Sequence, residues 1–221
     1  MTYIWMSYPL SIADPRPPAI PAPELTTFLA IEKDGASVQI LKVASHTGTH
    51  VDAPGHVVPD GAPIDTWEPG DLVFTKPVVV DIRAADDEVI EPRHLAPHEA
   101  VLKEGDLALL RFGLGGTRRA DPARFSLHSP GLGVAAARWL RETCPRLRAL
   151  GMDAPSLSCI ARLAETMPAH NELLGGPGRR FLVVEDMDLG RDLAGLREVR
   201  ISPWRVTGMD SAPCSIIGVL R

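Results

Sequence analysis

Short apolar stretches rich in β-branched residues recur along the chain and predict that strands dominate the fold. The stretches cover residues 37–52, 77–82, 106–112, 148–153, 179–185 and 214–220. Helical patterns are confined to residues 91–102, 133–143 and 157–165. Strands separated irregularly by helices are typical of a mixed α/β or α+β fold, without the regular alternation of a barrel of β/α units.

Six prolines between residues 9 and 23 exclude a helix or an inner strand there, because each proline removes a backbone donor and fixes φ. We therefore predict two parts, a proline-rich N-terminal arm over residues 1–35 and a single domain over residues 36–221. Tyr3, Trp5 and Tyr8 precede the prolines, and two interpretations stay open for them. Either the arm packs on the body of the protein, or its rings wall a ligand pocket.

Charge and composition narrow the range of partners. The 221 residues include 23 Lys and Arg against 28 Asp and Glu, which gives a formal charge of −5 and no basic block for nucleic acid. No apolar run approaches the roughly 20 residues that cross a bilayer, so no membrane partner is expected. Cys144, Cys159 and Cys214 lack CxxC spacing, and no leader pattern is visible. We therefore expect a cytoplasmic protein with small, buried cysteines.

Candidate metal-binding and catalytic side chains are most concentrated in residues 46–56, HTGTHVDAPGH, which hold three of the seven histidines. Three histidines and one carboxylate occupy even positions there: His46, His50, Asp52 and His56. An extended chain therefore projects them to one face. A helix does not, because Asp52 would lie roughly 200° around the axis from His50.

A straight strand fails as well, since it separates His46 from His50 by about 13 Å. We predict a bend at Gly48 and an end to strand pairing at Pro54, so that two imidazoles and a carboxylate converge. Without a nearby thiolate, this donor set suits Zn²⁺ or Mn²⁺ at a catalytic site better than a closed structural zinc site. A metal-free, hydrogen-bonded strand end is the alternative.

The same segment resembles HxGTHxDxPxH, the signature of the metal-dependent cyclase-like hydrolases, a family that includes bacterial kynurenine formamidase and isatin hydrolase. The resemblance extends over nearly all of the chain after about residue 35, but the proline-rich residues 8–25 depart from it. The later segments that carry it are PDGAPID (59–65), PVVVDI (77–82), GDLALLRFG (105–113), HSPGL (128–132), GMDAPSLS (151–158), AHNELLG (169–175) and FLVVEDMDL (181–189).

The resemblance implies that His46, His50 and Asp52 bind metal and that His56 shuttles protons. It further implies a divalent metal, Zn²⁺ with Mn²⁺ as the alternative, at one or two ions per chain. The implied fold is a swivelling β/β/α domain whose sheet partly closes into a barrel around the metal site. Homodimers or homotetramers are usual in the family, and the arm is a candidate for exchange between subunits.

Two later residues, His170 and Glu185, would complete a binuclear site according to the resemblance. Glu172 is a rival for the carboxylate. Glu185 is preferred because it ends an apolar strand, where a carboxylate is held rigidly and Asp186 faces the other way.

The implied activity is hydrolysis of a C–N amide bond by metal-bound hydroxide. The best candidate substrate is an aryl formamide of the N-formylkynurenine type, an intermediate of tryptophan catabolism. Alternatives are a hydrolase of a cyclic amide or lactone such as isatin, a catalytically silent metal-binding module, and a metal-free structural protein. Substrate choice is expected to depend on the arm and on residues 59–67, including Trp67.

Other residues are expected to be structural. His94, His98 and His128 have no partner motif, and Asp153 is a candidate for shaping a loop. Arg118 and Arg119 follow a glycine-rich turn, where a solvated pair is expected and contact with an anionic substrate is the alternative.

Overall fold

The computed structural model describes all of residues 1–221. The strands are β1 (Thr2–Trp5), β2 (Glu24–Leu29), β3 (Val38–Lys42), β4 (His50–Asp52), β5 (Val73–Phe74), β6 (Pro77–Asp81), β7 (Val89–Ile90), β8 (Leu107–Arg111), β9 (Gly131–Leu132), β10 (Ala149–Met152), β11 (Leu182–Glu185), β12 (Leu196–Pro203) and β13 (Ser211–Leu220). The helices are α1 (Ile31–Asp34), α2 (Pro92–Leu95), α3 (Glu99–Leu102), α4 (Gly115–Ala120), α5 (Pro122–His128), α6 (Val134–Thr143), α7 (Leu163–Thr166) and α8 (Pro168–Gly175). No helix is both long and apolar enough to span a membrane.

One large sheet organises the molecule, in the order β5-β12-β13-β4-β11-β10-β8-β6, with β1 paired to β13. The strands β6, β8, β10 and β11 run parallel, whereas β4 is antiparallel to both β11 and β13. The far strand β6 returns to lie beside β12, so the sheet is nearly closed. The predicted mixed α/β fold with a barrel-like sheet is thereby confirmed. Strand β4 lies where the parallel and antiparallel halves of the sheet meet.

Two apolar cores lie on the two faces of this sheet, as strand alternation requires. Leu109, Val184 and Val51 point into the barrel and pack with Phe74. On the outer face, Leu110, Val183 and their neighbours pack beneath α6 and α8. Because Val51 faces the barrel interior, the flanking His50 and Asp52 face the outer layer, where α8 covers the sheet.

Several element predictions need correction. Pro97 divides the predicted helix over residues 91–102 into α2, a 3-10 turn at Ala96–His98, and α3. The helix predicted over residues 157–165 is a 3-10 turn at Ile160–Arg162 followed by the single-turn α7. The stretch over residues 37–52 contains two strands, β3 and β4, with a turn between them.

The predicted N-terminal arm contains more strand pairing than its prolines suggested. β1 joins the sheet antiparallel to β13. β2 pairs with β3 in a separate two-stranded hairpin, so the predicted boundary at residue 35 falls between two paired strands. Every residue of β3, and all of β2 except its last, is exposed. The hairpin therefore stands apart from both cores.

Candidate metal centre

The segment from His46 to His56 bends as its composition predicted. Gly48 adopts φ of +62°, a left-handed conformation that glycine tolerates readily. Strand β4 then covers only residues 50–52, and Pro54 opens a 3-10 turn that ends at His56. The bend brings His46 back toward the strand, where its ring centroid lies 5.2 Å from that of His50.

A buried half of the site joins two strands and a helix. Glu185 on β11 lies directly opposite His50 on β4, and their Oε2 and Nε2 atoms are 3.1 Å apart. His170 on α8 places Nε2 3.3 Å from Glu185 Oε1. Asp52 Oδ1 is 3.5 Å from His50 Nε2. All four side chains are nearly or fully inaccessible to solvent.

A second half lies toward solvent and shares Asp52. His46 Nδ1 is 3.0 Å from Asp52 Oδ1, and the rings of His46 and His56 are 4.1 Å apart. The side chains of His46 and His56 are 16% and 21% exposed, so the site is open on this side. The six residues singled out in the sequence thus form one continuous cluster, with Asp52 at its centre.

The donor atoms of this cluster fit a divalent cation. They fall into two groups whose ligand atoms lie within 4.8 Å of one another: His46, Asp52 and His56; and His50, Asp52 and Glu185. His50 Nδ1 faces the Gly48 carbonyl at 2.8 Å and donates to it, so Nε2 is left to face two carboxylates. His50 Nε2 and both carboxylate oxygens of Asp52 are buried, and none of them makes a hydrogen bond of acceptable geometry: the contacts of His50 with Glu185 and of Asp52 with His46 are close in distance only. Unpartnered buried acceptors are costly, and a cation between them removes the cost.

The electrostatics separate the roles of the histidines. Burial opposes protonation of His50, but Asp52 and Glu185 outweigh it and raise its pKa to about 9. Conversely, His170 and His50 overcome the effect of burial on Glu185 and hold the pKa of Glu185 below its ordinary value. Burial instead lowers the pKa of His56, which is therefore neutral near pH 7.

Three residues of the site were not foreseen in the sequence. Asp210 Oδ2 lies 2.8 Å from His46 Nε2 and 3.4 Å from His56 Nδ1. Ser211 Oγ lies 2.9 Å from His46 Nε2 because Ser211 pairs with Asp52 in the sheet. Ser158 Oγ lies 3.2 Å from His170 Nδ1. These contacts fix ring orientations. Ser158 ends the segment GMDAPSLS, which is the only local signal for any of the three.

Other candidates lie elsewhere. Glu172 pairs with Arg138 at the surface, 3.1 Å from its Nη2, and is not part of the cluster. Trp67 is 5% exposed and packs in the barrel core, so it is not a pocket residue. The expected solvated state of Arg118 is wrong, because Arg118 is buried between Asp14 and Asp186. Asp153 does shape a loop, accepting hydrogen bonds from the backbone N–H groups of residues 112–114.

Fold and cluster together define a class of protein: mixed α/β chains whose barrel-like sheet carries a buried histidine–carboxylate group suited to a divalent cation. A family model described as “Putative cyclase” matches residues 4–158. The chain belongs to this cyclase family.

Relatives of this chain include a bacterial and a plant protein. Kynurenine formamidase of Salinibacter ruber is 28% identical over 193 residues, which cover 86% of this chain and 82% of that protein. Cyclase-like protein 1 of Arabidopsis thaliana is 29% identical over 216 residues, covering 90% of this chain and 80% of that protein.

Solved structures share the fold over the whole chain. Isatin hydrolase A from Labrenzia aggregata, bound to benzyl benzoate, matches with a TM-score of 0.79 at 20% identity, covering 100% of this chain and 94% of that one. A predicted metal-dependent hydrolase from Bacillus stearothermophilus matches with a TM-score of 0.76 at 23% identity, covering 98% of this chain and 97% of that one.

Proposed function

We propose that the protein is a metal-dependent hydrolase that cleaves a C–N amide bond, and that its substrate is an aryl formamide of the N-formylkynurenine type. The observation that carries the proposal is the asymmetry of the cluster. Its buried half offers two unpartnered carboxylate oxygens and an imidazole nitrogen, while a neutral histidine stands at the edge that is open to solvent. The relationship to kynurenine formamidase supports the choice of substrate.

Zn²⁺ is the proposed metal, with Mn²⁺ as the alternative, at one or two ions per chain. His46, His50, Asp52, His170 and Glu185 would hold it, which leaves His56 for proton transfer. A bound divalent ion supplies Lewis acidity toward a carbonyl and lowers the pKa of water.

The remaining chemistry falls to His56. Because burial keeps His56 neutral near pH 7, its ring can accept a proton from the attacking water and pass it to the departing amine. Asp210 lies on the Nδ1 side of this ring, so Nε2 is the atom that exchanges the proton. An arylamine leaves readily only when it is protonated, and His56 therefore serves both halves of the reaction.

An aromatic cavity next to strand β4 suits the aryl group. Its volume is about 470 Å³, within the range of small-molecule sites. Trp5, Tyr8 and Trp204 contribute its rings, and Thr49 and Pro213 also line it. Thr49 precedes His50, and Pro213 lies opposite His50 in the sheet. The cavity therefore borders the strand that carries the proposed ligands, although none of the six cluster residues lines it.

A cyclic amide such as isatin, or a lactone, is the second candidate substrate. It is supported by the fold shared with isatin hydrolases and by the three aromatic rings of the same cavity, which would also suit a fused aromatic ring. In both cases the product remains one molecule; with a cyclic amide the bond that breaks is again C–N, whereas with a lactone it is C–O and the leaving group is a hydroxyl.

The deciding experiment is a substrate panel assayed after chelation and after readdition of Zn²⁺ or Mn²⁺. The panel contains N-formylkynurenine, formanilide, isatin and an aryl lactone. Metal-dependent release of formate is the expected result, and ring opening of isatin would select the second candidate. Bound metal with no turnover on any member would identify a silent binding module and overturn the proposal.

We also propose that the chain forms a homodimer or homotetramer through the β2–β3 hairpin. The hairpin exposes several large apolar side chains: Leu25, Phe28, Ile31, Val38, Ile40 and Leu41. An isolated two-stranded hairpin is only marginally stable in water. So large an exposed apolar surface on it indicates that another subunit covers the hairpin.

Sedimentation velocity of Phe28→Asp/Ile40→Asp tests this assembly. We expect the double variant to sediment as a monomer while the wild type sediments as a larger species. Val206→Asp, at an exposed apolar residue outside the hairpin, is the matched control and should leave the assembly intact. A monomeric wild type contradicts the proposal.

A further inference from the structure

Arg118 on α4 is a buried charge outside the metal cluster. Its side chain is 8% exposed, and its guanidinium makes a bidentate pair with Asp186, with both N···O distances at 2.7 Å. Nη2 also lies 3.0 Å from Asp14 Oδ1. The exposed neighbour Arg119 makes no such contact, so the burial of Arg118 is specific.

The partner of Arg118 directly follows a proposed metal ligand. Asp186 comes after Glu185 and adopts φ of +52°, a left-handed conformation that is uncommon outside glycine. Its N–H donates to the Ala154 carbonyl at 2.7 Å, and its own carbonyl accepts from Thr49 Oγ1 at 2.5 Å. Surrounding contacts must hold such a conformation in place. Asp186, which follows Glu185, is thus held by contacts of its side chain, its backbone N–H and its backbone carbonyl.

The same guanidinium reaches the N-terminal arm. Asp14 belongs to the proline-rich segment, and the Tyr8 ring stacks on Arg118 at 4.0 Å. Tyr8 also donates its backbone N–H to Thr49 Oγ1 at 3.0 Å. Since Thr49 precedes His50, the network ties the arm to both strands that carry the buried half of the cluster.

We propose that Arg118 is a positioning residue that acts through Asp186 to hold Glu185 in place for the metal position of the buried half. Removal of Arg118 leaves Asp14 and Asp186 buried without compensation, and such a pair repels. Asp186 then leaves its left-handed conformation, and the Glu185 carboxylate loses its register with His50 and His170. The inference rests on the proposed metal site but not on the proposed substrate.

The test uses the full chain and Co²⁺ as the probe, followed by visible absorbance. The variants are Arg118→Met, the conservative Arg118→Lys, the reference Glu185→Gln and the control Arg119→Met. We expect Arg118→Met to weaken Co²⁺ binding about 10- to 100-fold, as loss of a ligand-orienting partner does. Its absorption spectrum should change in the same way as that of Glu185→Gln. Arg118→Lys should recover part of the affinity, and Arg119→Met should match the wild type.

Two further results separate positioning from loss of stability. The double variant Arg118→Met/Glu185→Gln should bind no more weakly than Glu185→Gln alone, because both changes act on one ligand. If Arg118→Met does not fold, Asp186→Asn replaces it with the same expectation. Wild-type affinity and spectrum in Arg118→Met, or additive losses in the double variant, overturn the inference alone. A wild type that binds no Co²⁺ overturns the proposed metal site and the inference with it.

Discussion

His46 and Asp210 are 164 residues apart in the chain, yet His46 Nε2 and Asp210 Oδ2 lie 2.8 Å apart. Burial disfavours the Asp210 carboxylate, but the hydrogen bond and charge of His46, together with Ser45 and His56, outweigh it and hold the pKa of Asp210 below its ordinary value. The contact leaves His46 Nδ1 directed at Asp52. One carboxylate thus sets the orientation of a proposed ligand and lies beside the proposed proton shuttle.

Replacement of Asp210 by Asn is expected to impair both neighbours. The variant should lose about 10- to 100-fold in metal affinity, because an orienting partner of His46 becomes neutral. Turnover at saturating metal should fall as well, since His56 loses its nearest carboxylate. Metal competition and steady-state kinetics measure the two effects. Glu142→Gln, at an exposed residue of α6, is the matched control, and equal behaviour of the two variants would refute the role.

His56 and Asp52 should fail in different ways when they are replaced. His56→Ala is expected to retain metal and to lose about 10²- to 10⁴-fold in turnover, the usual contribution of a general acid–base group. Asp52→Ala should lose both metal and turnover, because Asp52 belongs to both groups of donor atoms. Elemental analysis of the purified variants decides between them. Equal metal loss would instead make His56 a ligand.

The metal-free protein should lose stability as pH rises from about 6.5 to 9. The pKa of His50 is raised to about 9 in the folded state, so its proton stabilises the fold fully below the unfolded pKa. That stabilisation, up to about 3 kcal/mol, disappears as pH rises through the folded pKa. A bound cation takes the place of the proton, so the metal-loaded protein should lack this decline. Urea unfolding at several pH values, with and without chelator, measures it.

Gly131→Ala should be among the most damaging small substitutions. A Cβ at Gly131 would lie 1.9 Å from the Cys159 backbone nitrogen and 2.4 Å from the Ser158 carbonyl carbon. Backbone atoms cannot yield by that amount, so a loss of more than about 3 kcal/mol in the free energy of unfolding is expected. Gly116→Ala, where nothing lies within 4 Å, should be neutral or stabilising. Thermal denaturation compares the two.

The geometry of the segment from His46 to His56 was predictable because its information is local. Even spacing placed His46, His50 and Asp52 on one face, and Gly48 supplied the bend that the distance between the histidines required. Glu185 was separable from Glu172 because one ends an apolar strand and the other lies on a short helix.

Contacts between distant segments were not predictable in this way. Asp210 reaches His46 only through the pairing of β13 with β4, and nothing adjacent to it in sequence indicates that pairing. Arg118 appeared as part of a polar surface turn because its partners, Asp14 and Asp186, are 104 and 68 residues away. Strand β12 was missed although Val199 and Ile201 alternate with charged residues, a pattern typical of a half-buried strand.

The antiparallel pairing of β4 with β11 has a consequence for biosynthesis. His46 to His56 leave the ribosome more than a hundred residues before His170 and Glu185, so the emerging polypeptide carries only part of the proposed ligand set. Non-local strand pairing forms late, after the loop between the partners has closed. The proposed cation would therefore be held tightly only after the whole chain has folded, so that metal would act on a finished protein instead of guiding its assembly.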